Sequence, residues 1–242
     1  MTTRRSMLRG LGLAALTPIA AAGPAHAQLD RFLKGLGGSS SGLPDAKIAS
    51  GLKEALQVGT EKAVGLTGKV DGYFANQAIK ILMPERLRSF ERGLRTVGYG
   101  AQIDAFVLSM NRAAERAAPF ARQIFVGAIT DMSFDDARKI LSGPDTAATQ
   151  YFQEKTTDRL TAAFSPVIDR ALDEVGVTRQ YQELVGRFEA IPFVRMESFD
   201  LNHYVTGKGL DGLFHVVAEQ EKQIRANPLA RTTDLLKEVF SK

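Results

Sequence analysis

The sequence predicts an all-α protein, a compact multi-helix bundle with room for one small two-stranded ribbon. Three observations predict it. Apolar residues recur at i, i+3, i+4 and i+7 through one segment after another. Glycine, proline and the capping residues Asp, Ser and Thr fall between those segments rather than inside them. The chain has 242 residues and no cysteine, so it relies on an apolar core, which a chain of this length can bury.

The first 27 residues read as an export signal. Arg4, Arg5 and Arg9 make a positive start, an apolar stretch runs over residues 11–22, and Ala25-His26-Ala27 places small residues where a signal peptidase reads. The stretch is about a dozen residues, against about 20 for a spanning helix. The start Thr3-Arg4-Arg5-Ser6-Met7-Leu8-Arg9 resembles a twin-arginine signal, and Gly12 and Pro18 keep the stretch only mildly hydrophobic. Cleavage after Ala27 would deliver the mature chain to the periplasm, by either the twin-arginine or the general secretory route.

Removing the signal changes the charge argument. The whole chain has 31 basic and 27 acidic residues. Residues 1–27 hold three of the arginines and no acid, so the mature chain carries 28 against 27. A nucleic-acid binder would keep a basic excess after processing, so that class is set aside. Without cysteine there is no disulfide, no lipid-attachment thiol, no thiolate metal site and no thiol nucleophile.

Three parts follow: the signal at 1–27, a leader and linker at 28–44, and one helical domain at 45–242. In the leader, Leu29, Phe32, Leu33 and Leu36 share one helical face and offer weak membrane contact. A flexible Gly/Ser run over 37–42 comes next. Asp45 caps a helix to about residue 67. Pro84 starts another that ends near Gly98, and residues 101–117 are strongly periodic. Pro119 sits in the first turn of the next helix, where its missing N–H costs nothing. Ser133 with Asp136 forms a capping box, and Gly143 closes that helix. Asp145 caps a helix to Phe164, and Pro166 opens one ending at Gly176. Helices over about 178–189, 200–226 and 232–240 complete the set. Only residues 79–83 and 193–199 look extended, and these supply the ribbon.

In the 200–226 helix, Leu210, Leu213, Phe214, Val217 and Ile224 share a core stripe. Glu219, Glu221, Lys222 and Arg225 lie off it, with Glu221 and Arg225 paired at i, i+4.

Several motifs carry chemistry elsewhere and are weighed against plainer readings. Gly207-Lys208-Gly209-Leu210-Asp211-Gly212 spells G-x-G-x-x-G, but no strand leads into it, so close helix packing explains the glycines better than a dinucleotide. His203 and His215 are about 18 Å apart along one helix and cannot share a metal from it. Asp131, Asp135 and Asp136 lack calcium-loop spacing and serve helix capping. No metal site and no cofactor is indicated.

The segment Asn111-Arg112-Ala113-Ala114-Glu115-Arg116 is the most informative. Asn111 and Glu115 lie one turn apart on the flank of a helix whose buried stripe is Ile103, Phe106, Val107 and Met110. Asp104 and Glu115 are about 16 Å apart, too far for a carboxylate pair on one helix. The plain reading is a half-buried polar cluster that orients neighbouring helices. The functional reading adds Arg112, Thr149, Gln150 and Tyr151, and Arg231 with Thr232 at a helix start, as a candidate ligand or interaction site. No catalytic residue is assigned.

Six ordered blocks carry a resemblance: G-L-K-E-A-L-Q-V-G-T (51–60), M-N-R-A-A-E (110–115), A-A-T-Q-Y-F (147–152), Y-V-T-G-K-G-L-D-G-L-F (204–214), I-R-A-N-P (224–228) and R-T-T-D-L-L-K-E-V-F (231–240). Together they resemble the bacterial domain-of-unknown-function family 4197 over about residues 45–241. The resemblance implies an exported helical protein and no particular activity.

The sequence therefore points to a non-enzymatic periplasmic binding or protein-interaction module. The alternatives are an envelope enzyme using helix-borne carboxylates and a carrier of a lipid or other apolar ligand. The partner, a protein or small ligand of the envelope, is not specified by any motif.

Overall fold

Residues 45–174 and 200–226 are described by a computed structural model of the chain. The signal, the leader and linker, the expected helices at 178–189 and 232–240, the extended stretch at 193–199, and Arg231 and Thr232 lie outside the described residues.

Helices form where the apolar period places them. They are α1 (Asp45–Gly68), α2 (Arg88–Thr96), α3 (Gly100–Ala117), α4 (Ala121–Thr130), α5 (Phe134–Ser142), α6 (Ala147–Glu174) and α7 (Leu201–Ala226). Short 3-10 turns at Glu85–Leu87 and Ala118–Phe120 lead into α2 and α4. Pro119 sits in the second of these, as its fixed φ favours. The capping box is complete: the Ser133 hydroxyl accepts the Asp136 N–H at 3.1 Å, and the Asp136 carboxylate accepts the Ser133 N–H at 3.1 Å. The Ser133 hydroxyl, at 2.7 Å, and then the Ser133 N–H donate to the Asp136 carboxylate and hold it below its ordinary pKa.

Two helix boundaries differ from expectation. Pro166 does not open a new helix; α6 runs through it. The buried stripe Leu160, Phe164 and Ile168 continues across the proline, while Pro166 and Ala162 are exposed. The carbonyl that loses its helical partner therefore faces water, and packing outweighs the break. Asp145 is not the cap of α6 either. The helix starts at Ala147, and a carboxylate from α7 receives its first N–H groups.

The core forms where α7 lies along α6, α1 and α3. Phe125 from α4 meets Phe152 from α6 edge-on at 5.1 Å between ring centres, and Phe214 from α7 at 6.2 Å. Small residues let the backbones approach: Ala113, Ala114, Ala117, Ala118 and Ala121 are all fully buried. A Cβ on Gly209 would lie 3.5 Å from that of Ala114.

No β-strand occurs among the described residues, so the ribbon is absent there. The reason is visible at residues 79–83. Ile79, Ile81 and Met83 are buried while Leu82 is half exposed, which is the alternation of a strand. Yet Ile81 pairs with a side chain. The Asn111 Oδ1 accepts the Ile81 N–H at 2.9 Å, and its Nδ2 donates to the Ile81 carbonyl at 2.8 Å.

Residues 69–84 thus form a strap between α1 and α2 that crosses α3 and α7. It begins with Asp71 at φ +65°, a left-handed position that aspartate tolerates. At Gly72 a Cβ would lie 2.5 Å from the Leu66 carbonyl oxygen, so only glycine fits. On α7, Gly212 faces the strap: a Cβ there would lie 2.6 Å from the Tyr73 ring and 3.1 Å from Ile79. Gly207 meets nothing within 4 Å. Gly212→Ala should therefore cost about 1–3 kcal/mol by overpacking. Gly207→Ala, in the same helix but in open space, should stabilise by about 0.5–1 kcal/mol. Urea unfolding of the two variants checks both signs, and equal shifts would contradict this packing.

Candidate functional site

Most of the polar residues singled out in the sequence lie in the described part, and the buried ones among them have partners. Asn111 on α3 is fully buried. Besides its pair of bonds to Ile81, its Nδ2 donates to the Val107 carbonyl one turn back at 2.7 Å. Both amide protons and the oxygen are thus in use.

Glu115, one turn further along α3, is 4% exposed rather than half-buried. Its Oε1 accepts the N–H groups of Tyr73 and Phe74 at 3.0 and 3.2 Å. Its Oε2 accepts from Arg112 Nη1 at 2.6 Å. Arg112 also reaches Asp71 at 2.7 Å, tying the left-handed residue of the strap to α3. Tyr73 is fully buried and its hydroxyl donates to the Gly209 carbonyl at 2.6 Å. Burial, and then the negative charge of Glu115, push the Tyr73 hydroxyl pKa well up, so it stays protonated. Asn111 and Glu115 are therefore neighbours with a common task, gripping the strap, each through its own main-chain partners. Asp104 lies elsewhere, in an exposed ion pair with Arg95 at 2.7 Å.

Of Thr149, Gln150 and Tyr151 at the start of α6, only Thr149 belongs to a second network. Thr149 is buried. Glu221 on α7 accepts the Ala148 N–H, the Thr149 N–H and the Thr149 hydroxyl at 2.9, 2.9 and 2.8 Å. Arg225 closes this group, bonding Glu221 at 2.9 Å and the Ile140 carbonyl at 2.8 Å. Gln150 is exposed, and the Tyr151 hydroxyl donates to the Ala128 carbonyl at 3.0 Å. The sequence reading paired Glu221 with Arg225, as observed, but placed it off the core stripe. The structure corrects that: it is 7% exposed, because the unpaired N–H groups of α6 draw a carboxylate to the helix start.

These two glutamates share one arrangement. Each is buried, accepts two backbone N–H groups and holds an arginine three or four residues away. Every buried side-chain nitrogen and oxygen among the described residues has a hydrogen-bond partner. Both oxygens of each carboxylate are thus bonded within the protein, whereas a general base needs an oxygen facing the substrate.

Two clefts flank residues 80–83. One, of about 500 Å³, is walled by Phe74, Leu82, Val107 and the Arg95–Asp104 pair. The other, of about 440 Å³, is walled by Leu82, Tyr204 and the Lys208–Asp211 pair. Neither is lined by Asn111 or Glu115. Tyr204 reaches across to donate to the Leu82 carbonyl at 2.9 Å. Lys80, common to both clefts, places its ammonium 4.0 Å over the Phe74 ring. His203 and His215 are exposed on α7, with His215 3.4 Å from Glu219.

Sequence reasoning missed Tyr73, Asp71, Tyr204 and the burial of Glu221. The one usable signal was the polar start of α6, which demands an acceptor and left its source unnamed. Glu115→Gln and Glu221→Gln should each lower stability by about 2–4 kcal/mol, since each strips a charge-assisted partner from an arginine and two amides. A midpoint unchanged to within about 0.5 kcal/mol in urea would contradict a structural role.

No curated protein and no solved structure matches the chain. A family model, that of a protein of unknown function termed DUF4197, matches residues 42–241. That span takes in both glutamate networks and the strap, and the chain belongs to the DUF4197 family.

Proposed function

We propose that this chain is a non-enzymatic binding or protein-interaction module that works in the periplasm. One observation carries the non-enzymatic part: the buried polar residues best suited to chemistry, Asn111, Glu115 and Glu221, have every side-chain oxygen and nitrogen bonded to main chain, arginine or Thr149. An enzyme keeps such groups facing a cavity, with capacity free for the reacting atoms. The periplasmic part is supported by the paired arginines, the mild apolar stretch and Ala25-His26-Ala27 at the start of the chain.

Native mass spectrometry and N-terminal sequencing of the protein, produced from its full chain and collected from the periplasmic fraction, test both parts. The expected species begins at Gln28 and has the mass of the polypeptide, alone or joined to another protein. A stoichiometric metal ion or redox cofactor would overturn the non-enzymatic reading. A chain beginning at Met1 in the cytosol would overturn the location.

A further inference from the structure

Two turns meet at one end of the bundle. There α1 ends at Gly68 and α3 passes into the Ala118–Phe120 turn. A Cβ on Gly68 would lie 3.0 Å from the Pro119 ring, so the turns abut. Each turn holds one large apolar residue in solvent: Val70 is 73% exposed and Phe120 is 54% exposed. Each apolar residue has a cation within two residues of it along the chain. Lys69 and Arg122 are exposed, and neither forms an ion pair among the described residues. Elsewhere at this end, Arg112 holds Asp71 and Glu115, and Arg116 holds Glu174 at 2.8 Å.

We propose that this end of the bundle docks on an anionic lipid surface. Two apolar tips and two uncompensated cations are the elements such a surface binds. An aromatic ring settles at headgroup level, and nearby lysine and arginine meet the negative surface potential. A protein partner fits less well. A stable protein interface covers about 800 Å² per side around an apolar centre depleted in lysine. Here the apolar groups are two separate tips flanked by charge. Membrane docking is independent of whether the module also binds a protein, so the two proposals stand or fall separately.

The chain contains no tryptophan. Phe120→Trp therefore gives a single reporter at the docking tip in the exported protein, whatever the leader does. With vesicles of phosphatidylglycerol and phosphatidylcholine, its emission should shift to the blue and saturate. With phosphatidylcholine alone, or at high salt, the shift should largely vanish. Adding Lys69→Glu and Arg122→Glu should weaken the binding at least about tenfold, given about fivefold for each cation at an anionic surface. Phe134→Trp is the control. Phe134 is 57% exposed, and α4 carries the chain away from this end before reaching it. No shift at position 120, an equal shift at 134, or indifference to charge reversal overturns the proposal.

Discussion

A segment of main chain without regular structure packs across α3 and α7, and its buried N–H and C=O groups must find partners. The constraint is severe. A buried backbone group left unpaired costs about 1–3 kcal/mol, and residues 72–83 bury several. The chain meets that demand with side chains fixed on a rigid helix. Asn111 pairs with both polar groups of Ile81, and Glu115 receives the amides of Tyr73 and Phe74. Tyr73 then reaches through the core to the Gly209 carbonyl, so the strap joins α3 to α7. Remove these side chains and the strap has no partner strand to replace them among the described residues.

The same logic recurs at the start of α6. A helix begins with N–H groups that no turn of its own can satisfy. At α6 the acceptor comes from Glu221, 72 residues away in sequence from Thr149, rather than from a local cap. Arg225 balances the charge and fastens the end of α5 through the Ile140 carbonyl. Both buried glutamates thus carry an arginine from their own helix and grip a different element. Their burial is explained by architecture, which removes the main reason to read them as catalytic.

Much of the helical frame was legible in the sequence because apolar periodicity and capping are local. The Ser133–Asp136 box and the stripe of Leu210, Leu213 and Phe214 on α7 needed no tertiary information. Pro166 misled because a local breaking signal competes with the packing of Leu160, Phe164 and Ile168, and packing won. The polar cluster on α3 was legible as a cluster, since Asn111 and Glu115 recur one turn apart beside a buried stripe. Its purpose was not, because its partners lie about 30 to 42 residues away, in a segment whose own pattern suggests a strand. Glu221 was misplaced for the same reason: hydropathy assigns a charged residue to solvent, and only the incoming helix start makes it core. Two glycines of the G-x-G-x-x-G string are explained by what touches them, Ala114 at Gly209 and the Tyr73 ring at Gly212.

If the strap is truly part of the core, its amides must be as well protected as those of the helix that holds it. Native-state hydrogen exchange measures this directly. The Tyr73, Phe74 and Ile81 amides should open only with the cooperative unfolding that exposes buried α3 amides such as those of Met110 and Ala114. Exchange of the three at the rate of exposed loop amides, while α3 stays protected, would contradict the account.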